Sequence, residues 1–167
     1  MLIRAAQADD AKDISQLLTG SWHRTYDAFM GVERVNEITA SLHAPDVLVA
    51  EINDSSILTL VAVDEGGTVT GVVKIETRNK NRETGELYLD RLHIAPDAFG
   101  TGLADQLLNA AIAASGPYET ISLEVLAGNK RAIAFYLKRG FIETANLDAC
   151  GTALSVPTLV MTKSFPK

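Results

Sequence analysis

The chain has 167 residues, 47% of them apolar, with a formal net charge of −6 and a pI near 5.0. That length suits one domain over residues 1–167 with a sizeable core. No apolar run is long enough to span a bilayer, MLIRAAQADD has no signal-peptide core, and the single Cys150 cannot form an internal disulfide, so a cytoplasmic protein without a membrane partner is expected. Lys130-Arg131 and Lys138-Arg139 are the nearest thing to a basic run, which argues against a nucleic-acid partner. The acidic balance is compatible with a cationic amine as ligand, and equally with solubility alone.

In chain order, LIRAA reads as a strand. Ala8–Asp10 leads into a helix with Ile14, Leu17 and Leu18 on one face, ending near Gly20. Ser21 suits the cap of a second short helix through Trp22, Tyr26 and Phe29, broken by Gly31. A helix is expected over Glu33–Leu42. Another begins at Pro45 (PDVLVAEIND), although VLVAEI alone also suits a strand. From Ile57 the pattern becomes β: ILTLVAVD and TVTGVVKIETR flank a Glu65-Gly66-Gly67 turn as a hairpin. NKNRETG is a polar loop, and ELYLDRLHI is a strand ended by Pro96 and Gly100. GLADQLLNAAIAAS is a helix, TISLEVL a buried strand, and NKRAIAFYLKR a helix closed by Gly140. FIETANLDA and SVPTLVMTKSF make two late antiparallel strands that could also pair across a homodimer. The order β-α-α-α-β-β-β-α-β-α-β-β predicts an α/β fold with a mixed, mostly antiparallel central sheet and helices on both faces.

Two segments carry candidate chemistry. Leu92-His93-Ile94-Ala95-Pro96-Asp97-Ala98-Phe99-Gly100-Thr101-Gly102-Leu103-Ala104 is a strand, a glycine turn and a helix start. Glycines admit close backbone approach, and a helix's first N–H groups with its positive dipole end bind phosphate without a basic side chain. An ordinary strand-to-helix turn would look the same. Dinucleotide binding is excluded, because Asp105 stands where the third Gly or Ala of G-x-G-x-x-G belongs and several strands precede the turn; no Gly-Lys-Ser/Thr completes a P-loop. The second segment, Asn129 to Phe141, is a helix that Asn129 can cap. Tyr136 shares the face of Asn129 and Ala132 by i, i+3, i+4 spacing.

Together these segments resemble the GNAT N-acetyltransferase superfamily. The chain reads I-A-P-D-A-F-G-T-G-L-A against the family's V-x-P-x-x-[QR]-G-x-G-[IL]-[GA], and N-K-R-A-I-A-F-Y-L-K-R-G-F against N-x-x-A-x-x-[FL]-Y-x-x-x-G-F. The resemblance is strong over roughly 57–145, and Ser21–Tyr26 looks like the acceptor-side helices of small bacterial members. Phe99 replaces the family's Gln or Arg, and Thr101 its common basic residue; backbone N–H groups and the Thr101 hydroxyl are the expected substitutes.

The resemblance implies an acetyl-CoA-dependent enzyme without a metal, in which strands four and five splay and pantetheine pairs with the backbone of Leu92, His93 and Ile94. The turn at Phe99, Gly100, Thr101, Gly102, Leu103 and Ala104 then takes the pyrophosphate. Asn129 contacts pantetheine, Tyr136 protonates the leaving thiolate, and Ile94 N–H faces the oxyanion. An amine of pKa ~10.4 is protonated at neutral pH, so a base is needed. Alternation along 86–94 sets Glu86, Tyr88, Asp90, Leu92 and Ile94 on one face and Arg91 and His93 on the other. In the family the base lies on the face of the Ile94 equivalent, which puts Asp90 first and Glu86 second. His93 has a suitable ordinary pKa of about 6.5 but the other parity. Glu51, His23 and His43 are further candidates from the acceptor side. Trp22, Tyr26 and Phe29 are candidates for the acceptor wall, with core packing favoured by their helical spacing; Trp22 with Tyr26 could also hold a cation by its ring faces. The acceptor is expected to be a small-molecule amine, with a protein N-terminus or lysine, or a non-catalytic acyl-CoA-binding module, as alternatives.

Overall fold

Ile, Val and Thr crowd Ile57–Val63 (β2) and Val69–Glu76 (β3), and such β-branched residues favour the pleated backbone. The connection is a tight hairpin. Asp64 Oδ1 accepts from Gly66 N–H and Thr68 N–H, both at 2.9 Å, and Asp64 N–H donates to Thr68 O at 3.0 Å. With β1 (Leu2–Ala5), β4 (Glu86–Ile94), β5 (Thr120–Leu126), β6 (Ile142–Leu147) and β7 (Thr158–Ser164) they form a seven-stranded sheet in the order β1-β2-β3-β4-β5-β7-β6. Pairs β1/β2, β5/β7 and β6/β7 are antiparallel and β4/β5 is parallel, the mixed sheet that the order of elements predicts. The β4/β5 register runs from Glu86 opposite Thr120 to Leu89 opposite Leu123, while β4 continues to Ile94. This computed structural model describes residues 1–76, 85–151 and 154–165; the expected polar loop at 79–85 lies outside them apart from Gly85. Among the described residues no helix is long and apolar enough to cross a membrane.

The chain divides into two compact units. The first comprises Met1–Ile75 and Arg91–Gly116, with helices α1 (Ala11–Met30), α2 (Val32–Leu42), α3 (Pro45–Asn53) and α4 (Leu103–Ser115). Ala11, Ile14 and Leu18 of α1 pack with Leu48 of α3 and with Val61, Val63, Val69 and Val72 of the sheet. The expected break at Gly20 does not occur. An interior glycine costs a helix only about 1 kcal/mol, whereas the apolar stripe of Ile14, Leu18 and Tyr26 continues past it, all three buried. Ser21 is therefore an interior residue whose carbonyl accepts from Thr25 Oγ1 at 2.9 Å, not a cap. On α4, Leu103, Leu107 and Ala111 form a buried stripe at i, i+4 spacing. Gly71 on β3 lets this layer come close: a methyl there would lie 2.7 Å from Leu107 Cδ1 and 3.2 Å from Ile94 Cγ2.

Arg4 ties β1 to the start of α1 by a bidentate pair with Asp10, at 2.7 and 2.8 Å, and Asp10 Oδ2 also accepts from Gln7 N–H at 2.7 Å. Asp10 is nearly buried. The Arg4 guanidinium, helped by Gln7 N–H, holds its carboxyl below the ordinary carboxylate range, against the opposing pull of burial. A depressed folded-state pKa stabilises the fold above the unfolded value of about 3.9, and that stability is lost as pH falls through the folded value. Asp10→Asn should thus lower unfolding free energy by about 1.5–3 kcal/mol at pH 7. In urea melts from pH 7 to 3, the gap to the parent protein should close only below about pH 4. A constant gap across that range would remove the carboxylate from the explanation.

The second unit comprises Glu76–Asp90 and Pro117–Lys167, including α5 (Lys130–Leu137). Ile121, Leu123, Phe141 and Met161 form its buried centre. Asn129 caps α5 as its position predicts, its Oδ1 accepting from Ala132 N–H at 3.1 Å. Past the helix, Phe141 N–H donates to Tyr136 O at 3.2 Å and Gly140 has a φ of +81°, the helix end expected there.

Candidate active site

In the first unit, the end of β4 runs through a short 3-10 turn at Pro96–Ala98 into the loop Phe99–Gly102 and then α4. Ala95 N–H donates to Thr70 O at 2.8 Å, which pins the strand end to β3. Gly100 and Gly102 have φ of +80° and +84°, and a methyl at either would meet nothing within 4 Å. Gln106 N–H donates to Gly102 O at 3.1 Å and begins the helical ladder, so the N–H groups of Leu103, Ala104 and Asp105 precede it. The turn thus offers bare backbone to open space at the positive end of a helix, an arrangement that fits a pyrophosphate. Thr101 acts within the turn. Its hydroxyl donates to Ala98 O at 2.7 Å, and Leu103 N–H approaches its oxygen at 3.4 Å. The hydroxyl proton expected to serve an anion is therefore used to staple the loop. Phe99, at the family's polar position, is 40% exposed.

The burial of Leu87 and Leu89, with Glu86, Tyr88 and Asp90 half-buried between them, follows the predicted alternation of β4. In the first unit Arg91 and His93 reach helices. Arg91 donates to Glu51 at 2.9 and 3.2 Å, and Lys74 Nζ donates to Glu51 Oε1 at 2.7 Å. Glu51, a candidate base, is thus engaged by two cations and links α3 to β3 and β4. His93 Nδ1 lies 2.8 Å from Ser21 Oγ on α1. His23, another candidate, is bonded to Asp27 one turn along its own helix at 2.8 Å. His43 is buried, its ring edge-on to Trp22 with centroids 5.5 Å apart. Trp22 also meets Tyr26 at 4.8 Å, and Tyr26 meets Phe29 at 5.3 Å. Tyr26 is buried and Trp22 half-buried, so Trp22 is the more accessible of these two wall candidates. Sequence reasoning missed both the Ser21–His93 contact and the double pairing of Glu51; the shared odd parity of Arg91 and His93 was the available signal.

In the second unit Tyr136 is 8% exposed, with its ring edge-on to Phe135 at 5.2 Å and Phe141 at 5.3 Å. Asp90 and Glu86 lie in this unit on the half-buried face of β4. Among the described residues no cluster of His, Cys, Asp or Glu is arranged to hold a metal.

A strand, a bare-backbone turn and a helix, followed in sequence by a strand and an Asn-capped helix with its tyrosine, define a class. Residues 21–141 match the model of the acetyltransferase (GNAT) family, and the chain belongs to that family of acetyl-CoA-dependent N-acetyltransferases. Its fold is that of PaiA N-acetyltransferase from Thermoplasma acidophilum, solved with coenzyme A (TM-score 0.83, 22% identity, 98% of each chain covered). It is also that of ribosomal-protein-alanine N-acetyltransferase from Brucella melitensis (TM-score 0.76, 23% identity, 99% of this chain and 100% of that one). A variant of the spermidine N-acetyltransferase SpeG from Vibrio cholerae is similar as well (TM-score 0.69, 21% identity, 98% and 95%). No curated protein sequence matches significantly.

Proposed function

We propose that the protein moves the acetyl group of acetyl-CoA directly to a primary amine on a small molecule. The observation that carries this reading is the open Gly100–Gly102 turn running into α4, in a chain of the acetyltransferase family. Acetyl-CoA supplies an activated thioester. The N–H groups of the turn and of Leu103 and Ala104 hold the pyrophosphate, beside Phe99 and Thr101. The backbone of Leu92, His93 and Ile94 holds pantetheine, which Asn129 also contacts. Ile94 N–H stabilises the oxyanion. Tyr136 gives its phenolic proton to the leaving thiolate. Trp22 and Tyr26 wall the acceptor, and the net charge of −6 favours a cationic amine. The amine's proton must go to a base; β4 offers Asp90 and Glu86 on one face and His93 on the other.

The names of the similar structures supply the acceptor classes to try: spermidine, and the alanine amine of a ribosomal protein. Acetyl-CoA is mixed with the protein and with a polyamine, an amino-sugar, a peptide bearing a free N-terminal alanine or a lysine peptide, and thiol release is followed. Release with a small amine and not with peptides is the expected result. Release confined to the peptides would move the acceptor to protein. Calorimetric binding of acetyl-CoA with no release on any amine would replace the enzyme by a binding module.

A further inference from the structure

Glu51 accepts three charge-assisted hydrogen bonds from two cations on adjacent strands. Lys74 Nζ on β3 donates to Oε1 at 2.7 Å; Arg91 on β4 donates through Nη1 to Oε2 at 2.9 Å and through Nη2 to Oε1 at 3.2 Å. All three residues belong to the first unit. Their side chains are 19%, 6% and 12% exposed in the order Glu51, Lys74, Arg91, so water screens the cluster little. Glu51 stands in the last turn of α3, where the helix dipole disfavours a carboxylate. Its contacts on the sheet, and not the helix, therefore account for its ionised form there. A buried ion cluster is weak evidence for stability, because apolar side chains of similar volume hold a fold together as well. What an arginine–carboxylate fork adds is direction: two parallel bonds fix where the strand lies against the helix.

Arg91 opens the part of β4 that belongs to the first unit and runs to Ile94. Leu92, His93 and Ile94, assigned above to pantetheine and the oxyanion, follow it directly. The far end of this stretch is set by Ala95 N–H donating to Thr70 O at 2.8 Å and by the close approach of Ile94 to Gly71. In its middle, His93 Nδ1 lies 2.8 Å from Ser21 Oγ. The near end is set by the fork to Glu51.

Resting on the acetyl transfer proposed above, we infer that Glu51, through its fork with Arg91, positions the Leu92–Ile94 backbone that receives acetyl-CoA. Glu51 is a positioning residue and not the base, since it acts through Arg91. Lys74 holds the same carboxylate from β3, so the strand end is referenced to both α3 and β3.

The test starts from calorimetric binding of acetyl-CoA to the parent protein and its turnover of an amine found in the panel; failure there defeats the acetyl-transfer reading itself. Arg91→Lys keeps the charge and the Glu51 carboxylate but cannot form the fork. Its acetyl-CoA affinity should fall about tenfold, the worth of roughly one misaligned hydrogen bond. Its kcat should fall about 10- to 100-fold, because a donor displaced by as little as about 1 Å loses much of its effect. The KM for the amine should hardly move. In NMR of the ligand-free protein, amide exchange at Leu92, His93 and Ile94 should quicken while that of Val61 and Ala62 on β2 stays as in the parent. A role in stability alone would leave affinity and kcat of the folded protein at parent values. Should Arg91→Lys not fold, the triple variant Glu51→Met, Lys74→Met, Arg91→Met replaces the whole cluster by apolar side chains, a change that buried ion clusters tolerate, and the same two losses are expected. Parent-like affinity and kcat in the folded Arg91→Lys protein, or in the triple variant in its place, overturn the inference. A loss confined to Glu51→Gln overturns it as well, because the carboxylate itself would then be the reacting group.

Discussion

Gly102→Val should raise the KM for acetyl-CoA by about 100-fold, with the protein still folded. The residue sits at φ 84°, ψ 2°, where a β-branched side chain is a genuine outlier, and the left-handed region costs an ordinary residue about 1–2 kcal/mol. No protein atom lies within 4 Å of the added Cβ, so there is no internal clash to unfold the domain. The cost falls on the turn, which shifts its backbone to relieve the strain, and on the ligand, which loses the space that the isopropyl group fills. A charge-assisted hydrogen bond of the phosphate type is worth about 1.5–3 kcal/mol. Together with the strain this reaches roughly 3 kcal/mol, or about two orders of magnitude in affinity. Steady-state kinetics and a thermal melt check it. An unchanged KM in a folded variant would move the pyrophosphate away from this turn.

Tyr136→Phe should reduce kcat by about 10²- to 10⁴-fold while leaving the KM for acetyl-CoA nearly unchanged. The ring is held by edge contacts with Phe135 and Phe141 that phenylalanine preserves, and the backbone carbonyl at 136 still accepts from Arg139 N–H and Phe141 N–H. The stability loss should stay near the value of one neutral hydrogen bond, about 1 kcal/mol. A proton donor to the thiolate matters only as the C–S bond breaks, so kcat and kcat/KM should fall together. Acceptors with different nucleophilicity should all be slowed. A Tyr136→Phe protein with parent-like kcat would take the phenol out of the reaction.

Local chemistry was readable in advance. Residue type and position mark Asn129 as a cap, and its Oδ1 accepts from Ala132 N–H. The turn glycines read as points of close backbone approach, and Gly100 and Gly102 both have positive φ. Strand parity on β4 separated Arg91 and His93 from Asp90 before any contact was known. What the residues did not disclose depends on tertiary packing. Gly20 looked like a helix end because its low propensity was visible, whereas the buried stripe that overrides it depends on α3 and the sheet. The pairings of Ser21 with His93 and of Glu51 with Lys74 and Arg91 bridge 72, 23 and 40 residues, and no local pattern marks which polar side chains will meet at such separations. The sequence offers the Thr101 hydroxyl to an anion, and nothing local marks that Ala98 O stands 2.7 Å from it.

Gly71 imposes a design constraint on this scaffold. The missing methyl seats Leu107 and Ile94, and His93 O also lies 3.4 Å from where that methyl would be. The strand end proposed to hold pantetheine and the helix proposed to face the pyrophosphate are thus referenced to one point on β3. Anyone retargeting the protein to a new acceptor can vary α1 and α2 around Trp22 and leave that point undisturbed. A library that admits alanine at position 71 would instead crowd the Leu107 and Ile94 side chains together, and clones lost there would say nothing about acceptor choice.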